Sequence, residues 1–298
     1  MTAALTIGDA RLRAVVRPDL GGGLARLDRR RGDGWDSVLR PLDGPETLPD
    51  AAFAMALNVL VPFSNRLSAG VDGHPVPPNV AGEAYPIHGD GWLSAWDVDA
   101  AGEDSASLSH RGAIGPWRYD ATLAYTVAAG ALTVVLEATN TGEAALPMGL
   151  GVHPWFVRRP GTTLQAPARS QWLEGRGHLP TECVPVTDPR AFDAGQPVPL
   201  PDAWINAGFE GWTGAATLRW PDAGGVRMDV TGADPPVDRY VLYSPAADAA
   251  FVCVEPVTHA IDAPALPGGA AANGMVALAP GDTTRLACRI HPFEEDPT

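Results

Sequence analysis

The chain has 298 residues, 45% hydrophobic and 19% charged, and no apolar run approaches the roughly 20 residues a membrane-crossing helix needs. Its formal net charge is −14 and all 21 of its basic residues are Arg, so nucleic acid and anionic membranes are not expected as partners, and mechanisms that need a lysine amine are excluded. Residues 1–8 show no basic segment followed by an apolar stretch, which makes the cytoplasm the expected location.

In chain order, residues 5–16 alternate apolar and polar side chains with the period of a half-buried strand. Residues 28–36, with three consecutive Arg, read as a solvated turn. Residues 50–59 form the one stretch with a helical pattern, and Pro62 would end it. Asn65-Arg66 follows the apolar run 57–63 and offers a forked cationic donor where the chain leaves the core. His88-Gly89 lies in the Gly-rich loop YPIHGDGW beside Trp92.

Residues 117–127 and 132–139 alternate again, with Trp117, Tyr119, Leu123, Tyr125 and Val127 on one face of the first and Leu132, Val134 and Leu136 on one face of the second. The link Ala128-Ala129-Gly130 reads as a hairpin turn. The 33 Gly and 30 Pro are spread between short elements rather than gathered in a linker. That punctuation predicts an all-β sandwich or barrel with few short helices, and with no shift in composition the expected organisation is one domain over 1–298. Cys183, Cys253 and Cys288 are too few and too widely spaced for a disulfide framework or a closed zinc site, and read as small buried hydrophobes. Residues 294–298 read as a frayed acidic tail.

Two segments carry chemistry. In PMGLGVHPWF (147–156), an extended backbone points Met148, Leu150 and Val152 one way and Gly149, Gly151, His153 and Trp155 the other. The glycines leave an empty floor before an imidazole and an indole, a surface suited to the C–H face of a sugar, and Pro154 argues against an ordinary central strand. In AFVCVE (250–255), Phe251, Cys253 and Glu255 share a face. A carboxylate ending so apolar a strand is desolvated, which raises its pKa toward the range of a general base.

The ordered set Asn65-Arg66, His88-Gly89, Gly151-Val152-His153-Pro154-Trp155-Phe156 and Val254-Glu255-Pro256 resembles the aldose 1-epimerases, or galactose mutarotases, and NGMVALAPG (273–281) is similar to that family's closing strand. The resemblance implies a large antiparallel β-sandwich with an open cleft and interconversion of the anomers of a monosaccharide without metal or cofactor, by a monomer or homodimer. By motif position His153 would be the general acid and Glu255 the general base, as imidazolium and carboxylate, with Asn65, Arg66, His88, Trp155 and Asn206 binding the sugar. One departure stands out: the family's Asp ahead of a Gly-Trp is Asn206 here, which keeps hydrogen bonding but loses charge. Three rival readings remain at this stage. A hexose-6-phosphate epimerase could recruit Arg66, Arg158 and Arg159; a metal enzyme could use His88, His153 and Glu255; a noncatalytic carbohydrate-binding protein would exploit the nine Trp.

Overall fold

The structure, a computed structural model, describes residues 4–186, 197–200, 202–221, 223–234, 236–246 and 248–294. Alternation becomes strand wherever one face meets an apolar partner. In chain order the strands are β1 (Leu5–Gly8), β2 (Leu12–Val16), β3 (Leu24–Arg31), β4 (Gly34–Ser37), β5 (Leu57–Leu60), β6 (Asp97–Ala101), β7 (Ser105–Ile114), β8 (Trp117–Ala128), β9 (Ala131–Asn140), β10 (Leu146–Met148) and β11 (Gly151–Val157). They continue as β12 (Thr163–Gln165), β13 (Ser170–Glu174), β14 (Pro180–Pro185), β15 (Val198–Pro199), β16 (Ile205–Glu210), β17 (Ala215–Arg219), β18 (Gly225–Asp234), β19 (Arg239–Ser244), β20 (Phe251–Val257), β21 (Val276–Leu278) and β22 (Thr283–Phe293).

Two large antiparallel sheets result. One runs β1-β2-β3-β5-β11-β20-β19-β16-β13-β14, with β4 on β3; the other runs β15-β12-β17-β18-β22-β9-β8-β7-β6, and β10 pairs only with β21. The sheets share one core, to which β2 gives Leu12, Ala14 and Val16, β8 gives Trp117, Tyr119 and Leu123, β9 gives Leu132, Val134 and Leu136, and β20 gives Val252 and Val254. Each such side chain removed from water stabilises the fold by about 1.5–3 kcal/mol. This is the expected sandwich with few helices; among the described residues, no helix is long and apolar enough to cross a membrane.

Local expectations fared unevenly. The hairpin at 128–131 forms as expected, with Ala129 and Gly130 at φ 51° and 73° between the paired Ala128 and Ala131. Residues 5–16 make two strands, because the Asp9 carboxylate accepts the N–H groups of Arg11 and Leu12 and turns the chain. The Arg-rich stretch 28–36 is a β3–β4 hairpin in which Asp28 is buried and bonded to Arg13 and Ser37. Arg29 pairs with Asp36, while Arg30, Arg31 and Asp33 at the turn itself are exposed, as a solvated turn requires. The helical reading of 50–59 is corrected: a 3₁₀ turn at Asp50–Phe53 gives way to β5, which is claimed on both edges by β3 and β11. Tertiary pairing overrides a weak helical pattern. Cys253 and Cys288 are buried as expected, but Cys183 is exposed on β14. The segment similar to a closing strand pairs with β10, and the last strand is β22. Glu294 is exposed, and the rest of the expected tail lies outside the described residues.

Pro154 and the two glycines also turn out differently. β11 is a central strand despite Pro154, because its ladder to β20 is interrupted between Gly151↔Val257 and Trp155↔Cys253. The interrupted stretch holds Pro154 on one strand and Pro256 on the other, neither of which has an N–H to give. Gly149 and Gly151 do not floor a ligand cavity. A side chain at Gly149 would collide with the His259 ring, whose Cδ2 lies 2.1 Å from the position of a Cβ, and one at Gly151 would meet Leu60 and Val257. These glycines admit protein. His259 fills the space beside Gly149 and accepts the Ser64 N–H at 2.9 Å through Nε2.

Gly149→Ala should therefore displace His259 and lower stability by about 1–3 kcal/mol, the usual cost of overpacking a tight interior. Urea unfolding midpoints of the two proteins measure it, and an unchanged midpoint would contradict the packing described.

Candidate active site

Sheet register assembles the site. His153 on β11 pairs with Asn58 on β5. With Gly151 opposite Val257 and Trp155 opposite Cys253, the β11–β20 register sets His153 opposite Glu255. The next row on the same face carries Trp155, Cys253, Tyr243 and Asn206, paired in that order across β11, β20, β19 and β16. The period of two puts these side chains on the face opposite the core. His153 Nε2 and Glu255 Oε1 are 3.3 Å apart, with their side chains 8% and 2% exposed. Both line a cavity of about 270 Å³, with Asn58, Asn65, Arg66, His88 and Trp155 among its other walls.

The wall above the floor is a strained loop pair. Asn65 and His88 both take left-handed backbone, at φ 51° and 60°, which costs a non-Gly residue roughly 1–3 kcal/mol unless neighbours impose it. Here they impose it on each other. His88 N–H donates to the Asn65 carbonyl at 2.9 Å, and Asn65 N–H donates to His88 Nδ1 at 3.0 Å. Because Nδ1 accepts, His88 carries its proton on Nε2. The preceding amide, Ser64 N–H, is taken by His259 in the same manner. Two successive backbone amides thus hold two imidazoles neutral and in fixed tautomers.

Arg66 is tied as well: Nε and Nη2 donate to the Glu83 carboxylate at 3.0–3.1 Å. Trp92 donates its indole N–H to the carbonyls of Ile87 and Gly89 and meets His88 edge to face at 5.3 Å. Trp155 stacks on His153 with ring centroids 4.8 Å apart and planes within 8°, and it carries the Arg40 guanidinium 3.5 Å from its own centroid.

Desolvation dominates the electrostatics. Burial, aided by the positive charge of Arg40, pushes the His153 pKa down to about 3. Burial holds Glu255 well above the ordinary carboxyl range, against a smaller opposing pull from Arg66. Burial, then His153 and Arg66, also keep His88 well below the usual imidazole value. Both shifts disfavour the charged forms of the expected imidazolium–carboxylate pair. Of six buried side-chain polar atoms without a hydrogen-bond partner among the described residues, four belong here: His153 Nδ1, Glu255 Oε2, Trp155 Nε1 and Asn58 Oδ1. Buried polar atoms are normally paired, so this concentration singles the cavity out as the candidate site.

All seven sequence candidates, Asn65, Arg66, His88, His153, Trp155, Asn206 and Glu255, line the one cavity. The trio considered for metal does not come together: the donors within 4.8 Å of one another are His153, Glu255 and Cys253, and burial holds the Cys253 thiol well above its ordinary pKa. Trp212 is in the core against Tyr240, not in the cavity. Sequence reasoning missed Asn58, Glu83, Tyr243, Phe53, His178 and Trp204 as cavity walls. Only register could have found Asn58 and Tyr243, which pair with His153 and Cys253.

Comparison with known proteins bears on this arrangement. A family model described as Aldose 1-epimerase matches residues 3–291. The uncharacterized protein YphB of Escherichia coli (strain K12) is 38% identical over 238 residues, spanning 76% of this chain and 79% of that protein. A solved structure of a candidate aldose 1-epimerase from Escherichia coli K12 superposes with a TM-score of 0.86 at 32% identity, covering 98% of this chain and 99% of that one. A galactose mutarotase-like protein from Clostridium acetobutylicum, at 18% identity, shares the fold with a TM-score of 0.81 over 95% of this chain and 93% of its own.

The displaced pKa values make stability depend on pH in opposite directions. Glu255, with its folded pKa raised above 4.5, gives the native state an extra proton in that window, so its contribution is lost as pH rises through it. His153, depressed from 6.5 to about 3, costs stability as pH falls across that interval. The melting temperature of Glu255→Gln should accordingly gain on the parent as pH rises, and that of His153→Gln as pH falls below 6.5. Parallel curves of melting temperature against pH would contradict the burial of the pair.

Proposed function

This chain belongs to the aldose 1-epimerase family, and on that premise we propose that it interconverts the α and β anomers of a free aldose, with His153 and Glu255 as the acid–base pair. One observation carries the reading: two titratable groups on neighbouring central strands bring Nε2 and Oε1 to 3.3 Å at the floor of a monosaccharide-sized cavity. Ligand cavities usually begin near about 300 Å³, and this one sits at that lower bound.

Opening a hemiacetal breaks C1–O5, forms C1=O1, removes a proton from O1 and delivers one to O5. Done separately, either transfer passes through a charged oxygen. A positioned acid and base avoid both charges, each contributing about 10²–10⁴-fold. The pair begins by moving its one proton from Glu255 to His153, with the sugar oxygens solvating the ions so formed. Glu255 then takes the O1 proton while His153 gives its proton to O5. What remains is a carboxylic acid and a neutral imidazole, the state that burial favours. Desolvation thus raises the energy of the charged pair and is relieved as the ring opens. After rotation about C1–C2 the steps run backwards onto the other aldehyde face. Electrons are conserved within C1, O1 and O5, so no redox cofactor enters.

The surrounding groups suit a neutral polyol. His88 offers an Nε2–H donor fixed by Asn65, and Arg66 is neutralised by Glu83. The phosphorylated-sugar rival gains no support. Arg158 donates to Ser244 and the Ala246 carbonyl, Arg159 pairs with Asp36, and both border a separate surface depression. A noncatalytic binder would leave the buried acid–base pair without a task.

Glu255→Gln should lower kcat by at least about two orders of magnitude with the fold intact. Polarimetry or NMR of freshly dissolved α-glucose, α-galactose, xylose and arabinose measures it, and near-parental rates would refute the assignment. The kcat/KM profile should be bell-shaped and belong to the pair as a unit. Its acid limb should fall near pH 3, where His153 takes a second proton, and its alkaline limb above the ordinary carboxyl range, where Glu255 loses the shared one.

A further inference from the structure

We infer that Glu174 is a positioning residue that fixes Asn206 as a hydroxyl acceptor facing the sugar, and that this rim selects neutral aldoses over anionic ones. The inference rests on the mutarotation reading and extends it to substrate class.

Glu174 closes β13, next to β16, which carries Asn206. Its carboxylate gathers three donors: His178 Nδ1 and Trp204 Nε1, each at 2.6 Å, and Asn206 Nδ2 at 2.9 Å. Burial acts to raise its pKa, but the bonds from His178, Trp204 and Asn206 outweigh that and hold Glu174 below the usual range. An ionised carboxylate has no proton to give. Asn206 must therefore turn its NH₂ toward Glu174, and the planar amide then directs Oδ1 away from it. Asn206 lines the cavity, and its side-chain hydrogen bond among the described residues is the one its Nδ2 gives to Glu174. A side chain that could present either end is locked into presenting an acceptor, which matches the O–H of a sugar.

The same arrangement returns a negative charge to the place where Asn206 lacks one, set one strand back. Among the described residues, the ion-pair partner of Glu174 is His178 and the one guanidinium lining the cavity, Arg66, is already bonded to Glu83. A uronic acid or sugar phosphate would bring its charge toward the ionised Glu174, and among the described residues the guanidinium lining the cavity is already taken by Glu83. A neutral hydroxyl meets no such repulsion.

Exchanging the two groups tests this. Asn206→Asp alone sets two carboxylates about 2.9 Å apart, and KM for the best aldose should rise at least about tenfold with a smaller change in kcat. Glu174→Gln alone frees the Asn206 amide to turn, and KM should rise about threefold. In Glu174→Gln/Asn206→Asp, the Gln amide donates to the Asp carboxylate, whose other oxygen still accepts, and KM should return to within about threefold of the parent. The parent should also prefer glucose to glucuronate by at least about tenfold in kcat/KM, a gap that Glu174→Gln narrows. Melting temperatures of all four proteins check folding. Additive losses without rescue, or a Glu174→Gln that shifts only the melting temperature, overturn the inference while an active parent leaves the mutarotation reading standing. A parent that turns over no aldose overturns both.

Discussion

The arrangement depends on one desolvated contact. His153 Nε2 and Glu255 Oε1 face each other across 3.3 Å with almost no exposure, and the groups around them bear on how costly the proposed proton movement between them is. Had a free guanidinium stood beside Glu255, the carboxylate would be fixed as an anion and the proton lost to solvent. Arg66 comes near enough to pull in that direction but is held by Glu83. Had His88 carried charge, it would have repelled an imidazolium at His153, whose ring centroid is 5.4 Å away. The Asn65 amide prevents that by donating to Nδ1. In the proposed mechanism, the pairing of Arg66 with Glu83 and the neutral His88 leave a proton free to move between the two partners.

Maintaining such a floor costs stability locally, and the cost has to be met by the rest of the fold. Four polar atoms are buried without partners, two residues take left-handed backbone and a central ladder is broken by facing prolines. Each of these amounts to about 1–3 kcal/mol. The other face of the same strands supplies the compensation: Val152 and Val254 lie directly behind the active pair in a core that continues to Trp117, Tyr119 and Leu123. The period of two makes this possible, because one strand can be apolar toward the core and chemically costly toward the cavity.

That alternation is also why so much was legible from sequence. Residues 117–139 announce a hairpin, and within 147–156 and 250–255 the alternation assigns Val152 and Val254 inward and His153, Trp155 and Glu255 outward, as observed. What alternation cannot supply is register between distant strands. Asn58 stands opposite His153 because β5 slots between β3 and β11, a consequence of topology that nothing in residues 50–59 encodes; those residues read as helix. The glycines misled for a related reason. Missing side chains do predict close approach, but not whether the visitor is a ligand or, as with His259 beside Gly149, the protein itself. Charge runs misled because pairing is invisible in one dimension: Asp28 is buried, with Arg13 from the neighbouring strand satisfying it.

Arg66 with Glu83 and Asn206 with Glu174 are two instances of one device. In each, a carboxylate set back from the cavity fixes a polar group at its wall: in the first it cancels a charge, in the second it orients a neutral amide. The consequence proposed for both is that a neutral hydroxyl meets directed hydrogen-bonding groups at the wall. For a hemiacetal this matters. Its hydroxyls are nearly uncharged in the ground state, and the one place where charge must develop, between O1 and O5, is where the proposed mechanism moves protons through His153 and Glu255. A wall that bound the hydroxyls through free ions would add affinity equally to the closed and open forms, without lowering the barrier between them. Confining the exchangeable charge to the floor allows binding at the rim and chemistry at the base to be set by different residues.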